Sequence, residues 1–142
     1  MFSVLLPIDE SEARTRTAIE TLQSLPGNVE DVEVMVLNVY GKTQQPWIAE
    51  IESWRDADEE DLLPDTVDLA LELLADAGYK VEKKWVVGDP AEEIVNVARY
   101  NDVDHIIISG RKKSPSKKVI FGSVAQEVLI NAERPVTMTM TD

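Results

Sequence analysis

The sequence predicts an α/β fold built on an open parallel sheet, and three observations support this class. Short apolar runs alternate along the chain with longer segments whose apolar residues have helical spacing. Pro or Gly stands at most of the boundaries between these segments. The chain has 142 residues, 44% of them hydrophobic, which is enough for one domain with a buried core. Alternating strands and helices imply a parallel sheet with right-handed crossovers and helices on both faces.

Five segments have the composition of β-strands. The first is apolar except for Ser3, as expected of a strand that is buried on both faces. The last alternates Val or Met with Thr, which is typical of a half-exposed strand. The predicted strands are Phe2 to Ile8, Val32 to Tyr40, Lys80 to Val87, His105 to Ser109 and Val136 to Thr141.

Four segments are predicted to be helices, and most have recognisable start signals. The third is the clearest, because Asp89 can cap it, Pro90 suits its first position, and Glu92 completes a capping box. The fourth has a similar pattern in Ser123 and Gln126. Residues 41–61 have no clear period and are predicted to form a long loop. The helices are predicted over Ser11 to Leu25, from Pro64 to just before Gly78, from Asp89 onward, and from Ser123 to before Pro135.

Composition excludes several functional classes. The chain has no cysteine and one histidine, His105, so we assign no catalytic residue and no protein-held metal. A net charge of −13 argues against nucleic acid as a partner. No apolar run reaches the roughly 18 residues that a membrane-spanning helix needs, so we expect a cytoplasmic protein. The acidity favours adaptation to salt over the alternative of an ordinary acidic protein.

Polar residues and glycines follow two of the predicted strands. Ligands of open parallel sheets bind at the carboxyl ends of strands, where the strand order reverses. The first strand is followed by Asp9, and the fourth by Gly110 and a run of basic residues. That run leads to Gly122 and Ser123 at a helix start, where free backbone N–H groups suit a phosphate. The pattern predicts a phosphate site; a plain connecting loop is the alternative.

The segment Gly110 to Val124 resembles the nucleotide motif of the universal stress protein family. That motif consists of a glycine, two residues, a second glycine, nine residues, and then Gly-Ser or Gly-Thr. Here Lys113 stands in place of the second glycine, and the interval to Gly122 is one residue shorter. The resemblance extends over the whole chain. Further segments that match the family are Pro7 to Ser11, Val87 to Pro90, and Arg134 to Val136.

The resemblance implies a single domain over residues 1–142 with the strand order 3-2-1-4-5, as in the adenine nucleotide alpha hydrolase-like fold. It also implies a stress-response regulator or sensor that binds ATP or AMP, with any Mg²⁺ held by the phosphates. At most slow ATP hydrolysis is expected, and the glycine-rich turn of an ATP-pyrophosphatase is missing after the first strand. The positions that match the family's nucleotide site are Pro7, Ile8, Asp9, Val39, Ser109, Gly110, Arg111, Lys113, Gly122, Ser123 and Val124.

The final strand is expected to join two copies of the chain. In the implied strand order it lies at an edge of the sheet, and Val136 to Thr141 carries no charge to discourage pairing. Many members of the resembled family dimerise through this strand. A monomer whose last strand is shielded by its own long loop is the alternative. A nucleotide-free dimeric scaffold of the same fold remains the alternative function, because a fold alone does not determine function.

Overall fold

Strands and helices alternate along the chain, as the sequence predicts. The structure is a computed structural model and describes residues 1–41, 63–111 and 122–141, with the backbone alone at Arg111. Its strands are β1 Phe2–Pro7, β2 Val32–Tyr40, β3 Lys80–Val87, β4 His105–Arg111 and β5 Val136–Thr141. Its helices are α1 Glu12–Ser24, α2 Asp65–Asp76, α3 Pro90–Tyr100 and α4 Ser123–Asn131, and a 3₁₀ turn spans Val29–Asp31.

The five strands form one parallel sheet in the order β3-β2-β1-β4-β5. This confirms both the predicted fold class and the predicted strand order. The order reverses between β1 and β4, whose register aligns Val4 with His105. Helices that follow these two strands therefore pass to opposite faces of the sheet, and a crevice opens between their first turns.

A hydrophobic core covers each face of the sheet. On one face, alternate residues of β1 and β2 pack with the apolar sides of α1 and α2, and Val4, Leu6 and Val36 are almost inaccessible. On the other face, Leu5, Leu37 and Ile106 pack with α3 and α4. The central parts of β1, β2 and β4 are apolar because both of their faces are buried.

The helix starts follow local capping chemistry, with one difference from the prediction. The Ser11 hydroxyl accepts a hydrogen bond from the Arg14 N–H at 3.2 Å, and the Asp89 carboxylate accepts one from the Glu92 N–H at 3.1 Å. For α4 we predicted Ser123 as the capping residue, and this is wrong. Gly122 is the cap, with no side-chain hydrogen bond to the helix, and Ser123 is the first helical residue.

One side of β5 is unpaired within the described residues. In the β4–β5 ladder Ile106 aligns with Val136, and the Ile106 N–H donates to the Pro135 carbonyl at 3.0 Å. Because a parallel ladder alternates, the odd-numbered residues of β5 bond to β4, and the backbone groups of Val136, Met138 and Met140 point to the open edge. Every β5 residue is half-buried.

The loop predicted over residues 41–61 lies outside the described residues, apart from Gly41. Among the residues that are described, no helix is long and apolar enough to cross a membrane.

Candidate functional site

The carboxyl ends of β1 and β4 enclose a small crevice at the reversal of strand order. Its cavity has a volume of about 20 Å³ and is lined by Pro7, Ile8, Asp9, Arg14, Thr15 and Ser109. Four of these six were predicted from the sequence as site residues, and the fold brings them together. The cavity has room for about one water molecule, so any larger ligand must lie across the mouth of the crevice.

Asp9 is held at the crevice by bonds from three directions. One carboxylate oxygen accepts from the Ser11 N–H at 2.8 Å, and the other accepts from Arg14 Nε at 2.8 Å. The Asp9 carbonyl accepts a hydrogen bond from the hydroxyl of Thr66, at the start of α2. The Asp9 side chain is nevertheless 44% exposed. A carboxylate has about four acceptor sites, so Asp9 can bind the helix start and still face a ligand.

The neighbouring strand supports this position of Asp9. Ile8 is buried, and its N–H donates to the Leu37 carbonyl at 2.8 Å. The buried Asn38 amide donates to the Ile8 carbonyl at 3.0 Å, which ties the end of β1 to β2. Val39 follows and packs, half-buried, on the α3 side of the sheet. Pro7 aligns with Leu37 and so lies on the same face of the sheet as Val39, although Val39 does not line the crevice itself.

Two residues that line the crevice, Arg14 and Thr15, were not predicted from the sequence. Nor were Asn38 and Thr66, which bond to the carbonyls of Ile8 and Asp9. Asn38 could have been found, because an amide within an otherwise apolar strand must have a buried partner. Thr66 and Arg14 carried no comparable signal, since both look like ordinary first-turn residues of a helix.

On β4, Ser109 and Gly110 form the opposite wall. The Ser109 hydroxyl lies 2.9 Å from the Thr141 hydroxyl, so a hydrogen bond links β4 to the end of β5. A Cβ atom built on Gly110 would lie 2.5 Å from Met138 Cε and 3.3 Å from Met140 Sδ. Glycine thus lets two methionine side chains pack over the end of β4. Arg111 is the last residue of this strand.

The start of α4 offers backbone donors that no capping side chain occupies. The first N–H groups of a helix have no partner within it, and here no side chain of Gly122 competes for them. Ser123 is exposed, and Val124 is 38% exposed. A Cβ built on Gly122 meets no described atom within 4 Å. Because α4 leads into the start of β5, its first turn belongs to the same edge as the crevice. Lys113 lies outside the described residues.

A larger cavity lies at the opposite, amino-terminal edge of the sheet. Its volume is about 170 Å³, and Ser3, Glu33, Lys80, Glu82 and Asn101 supply its polar lining. Ser3, Glu33 and Lys80 align across β1, β2 and β3. Charges of both signs line this cavity, and it lies away from the edge where parallel sheets bind ligands, so the smaller crevice is the better candidate.

The fold and the crevice define the class of protein. An open parallel sheet with polar residues at its strand-order reversal is typical of α/β proteins that bind a ligand at that point. The model of the universal stress protein family matches residues 1–139. The chain belongs to the universal stress protein family.

Comparison with individual proteins agrees with this assignment. A universal stress protein of Methanocaldococcus jannaschii, MJ0577, is 41% identical over 63 residues, which are 44% of this chain and 39% of that protein. A universal stress protein of Mycolicibacterium smegmatis is 34% identical over 64 residues, 44% of this chain and 49% of that protein. The matched segments thus span less than half of these curated relatives. The solved structure of MJ0577 superimposes with a TM-score of 0.80 at 27% identity, over 99% of this chain and 96% of that one.

Two more distant structures share the fold and were solved with nucleotides. The universal stress protein from Archaeoglobus fulgidus in complex with dAMP has a TM-score of 0.63 at 22% identity, covering 97% of each chain. A family protein from Arabidopsis thaliana with AMP bound has a TM-score of 0.67 at 16% identity, covering 100% of this chain and 93% of that one.

Proposed function

We propose that this chain binds an adenine nucleotide, AMP or ATP, across the mouth of the crevice between β1 and β4, and that it serves as a stress-response regulator or sensor. The observation that carries the proposal is the meeting of Asp9 and Ser109 at the strand-order reversal, on the edge where the first turn of α4 has no side-chain cap. The AMP and dAMP found in two relatives of the same fold support the choice of adenine.

Each part of the nucleotide has a chemically suitable partner. Pro7 and Val39 supply apolar surface for the adenine ring, and Ile8, buried on the α1 side of the sheet, holds the end of β1 in place beneath it. The Asp9 carboxylate accepts hydrogen bonds from an adenine amine or a ribose hydroxyl. Ser109 and Gly110 contact the ribose. The phosphates lie against the N–H groups of the Gly122, Ser123 and Val124 turn, where the helix dipole favours an anion. Arg111 and Lys113 add positive charge, and the phosphates hold any Mg²⁺.

The proposed role is binding rather than catalysis. The expected turnover is at most slow ATP hydrolysis, assisted by phosphate-bound Mg²⁺ and nearby lysines. The cytoplasmic location expected from the sequence is part of this proposal.

Acid extraction of the purified protein tests the proposal. Perchloric acid releases any bound nucleotide, and ion-exchange chromatography identifies its base and its phosphates. Protein stripped of nucleotide is then incubated with AMP, ATP and GMP separately, desalted and extracted again. We expect AMP or ATP to be recovered in proportion to protein and GMP not to be recovered. Equal recovery of GMP would contradict selectivity for adenine. If no nucleotide is recovered from the purified protein or after incubation, the proposed nucleotide-binding function is contradicted.

The second candidate function is a nucleotide-free dimeric scaffold. Two observations favour it, namely the open edge of β5 and the lysine at the position of the motif's second glycine. In both candidate functions we propose a homodimer formed by antiparallel pairing of two β5 strands about a twofold axis. The two functions differ in one result: a scaffold dimerises but binds no nucleotide.

A further inference from the structure

The Arg14 side chain lines the crevice, although it is not one of the motif positions. It rises from the first turn of α1 and shares the cavity with Asp9 and Ser109. Its side chain is 24% exposed, so most of it is packed while its end still reaches solvent. Among the described residues that line this crevice it is the one cation.

Most of the hydrogen-bonding capacity of Arg14 is unused within the described residues. Guanidinium and carboxylate groups often pair through two parallel hydrogen bonds. Here Nε alone donates to Asp9, at 2.8 Å. The terminal nitrogens have no described partner, and neither is among the buried atoms that lack one. Four of the five N–H donors therefore remain available at the solvent side of the crevice.

The positive charge of Arg14 offsets the repulsion between the Asp9 carboxylate and an anionic ligand. An ionised carboxylate at the mouth of a pocket repels an anionic ligand, and the acidic surface of the protein adds to that repulsion. The ion pair offsets the charge of Asp9, so that the carboxylate can bind the nucleoside without excluding its phosphate. A guanidinium is also planar, and its paired N–H groups match two oxygens of one phosphate.

We propose that Arg14 is a specificity-determining residue that binds the phosphate nearest the nucleoside, so that the site selects nucleotides over nucleosides. This inference rests on the proposed function. Arg14 lies beside the residues assigned to the nucleoside, so the phosphate that it reaches is the first one. The start of α4 then binds the second and third phosphates of a nucleotide such as ATP.

Paired titrations of three variants test this role. Adenosine, AMP and ATP are each titrated into the wild type and into Arg14→Gln, Arg14→Lys and Arg16→Gln. Binding is followed by amide chemical shifts, because this method also measures the weak binding expected of a nucleoside. Arg16 is the matched control, since it lies on the same helix, bonds to Glu12 at 3.0 Å and is not among the residues that line the crevice. Both Gln variants remove one positive charge. Thermal unfolding of each variant establishes that it is folded.

We expect Arg14→Gln to lower the affinity for AMP and ATP at least tenfold, while the affinity for adenosine changes less than threefold. Arg14→Lys should recover part of this loss, because it restores the charge but not the planar fork, and Arg16→Gln should resemble the wild type. An equal loss for adenosine and AMP would mean that Arg14 acts only by orienting Asp9, and this overturns the inference. Unchanged AMP affinity in Arg14→Gln also overturns it. A wild type that binds none of the three ligands would instead contradict the proposed function itself.

Discussion

At the scale of single residues, Gly122 has the most specific assignment. A Cβ atom built at this position meets no described atom within 4 Å, and we expect a larger side chain to cover the N–H groups of the first turn of α4. We therefore expect Gly122→Val to weaken ATP at least tenfold, about 1.4 kcal/mol. Calorimetric titration of ATP with Mg²⁺ into both proteins measures the effect.

The loss at Gly122 should be graded with side-chain size. Gly122→Ala is the matched control: it shares the poorer capping of a non-glycine residue but covers less of the turn. An intermediate affinity is expected for it. If Val, Ala and Gly at this position gave equal affinities, the phosphate would not bind at the start of α4.

The environment of His105 makes the stability of the fold depend on pH. Its Nε2 lies 2.6 Å from the Thr137 hydroxyl and its ring centroid lies 6.0 Å from that of Phe2, and burial lowers its pKa below the usual value of 6.5. The unfolded chain therefore takes up a proton at a higher pH than the folded protein. Stability from this group is fully present well above pH 6.5 and is lost as the pH falls below that value.

Urea unfolding of the wild type and His105→Gln tests this sign. Between about pH 7.5 and about pH 5.5, the free energy of unfolding of the wild type should fall relative to that of the variant. The variant is the proper reference because the many carboxylates contribute equally to both proteins. A difference between the two proteins that stayed constant across this range would contradict the lowered pKa.

Residue types predicted part of the site and missed the rest for a physical reason. Asp9, Gly110 and Gly122 were found because a carboxylate at a strand end and a glycine at a turn are unusual locally. Arg14 was missed because its role depends on where α1 lies relative to β4, and sequence spacing does not contain that information. The capping role predicted for Ser123 was wrong because Gly122 can cap through its backbone conformation alone, with φ −71° and ψ 162°.

At the scale of elements, the strands were predicted closely. Their apolar or alternating patterns end beside residues that are uncommon within strands, such as Pro7 at the end of β1 and Gly88 after β3. The prediction ended β4 at Ser109, whereas the strand continues to Arg111. Glycine and arginine are weak strand formers, but pairing with Met140 and Thr141 of β5 holds them in the sheet.

The edge strand β5 is expected to form the dimer interface. Since the backbone of Met138 points to the open edge, Met138→Pro removes an outward N–H without removing a hydrogen bond to β4. We expect the wild type to be a dimer and Met138→Pro to be a folded monomer. Light scattering at tens of micromolar protein measures both masses.

Two controls separate edge pairing from side-chain packing. Met138→Ala removes the contact with Gly110 but keeps the outward N–H, and we expect it to dimerise. Thr139→Pro removes a bond to β4 instead and should destabilise the monomer. A monomeric wild type would refute the assignment of β5 as the interface, and so would a folded Met138→Pro that dimerises with unchanged affinity.

At the scale of the whole molecule, charge dominates behaviour in solution. With 27 acidic and 14 basic residues the net charge is −13, and mutual repulsion destabilises the compact state. Salt reduces the screening length from about 10 Å at 0.1 M to about 3 Å at 1 M. We expect the thermal unfolding midpoint to rise over this range of KCl and to change little with an uncharged osmolyte at equal osmolality. A midpoint that fell with added KCl would count against adaptation to salt.

Binding of an adenine nucleotide at the β1–β4 crevice is tested by a chemical-shift titration of ¹⁵N-labelled, nucleotide-free protein with AMP and, separately, with ATP. We expect saturable shifts with AMP that cluster at the amides of Asp9, Ser109 and Gly110, and ATP should add shifts at the Gly122 to Val124 turn. GMP should cause much smaller changes. The absence of shifts up to millimolar AMP would contradict the claim, and so would shifts that cluster instead around Ser3, Glu33 and Lys80 at the opposite edge of the sheet.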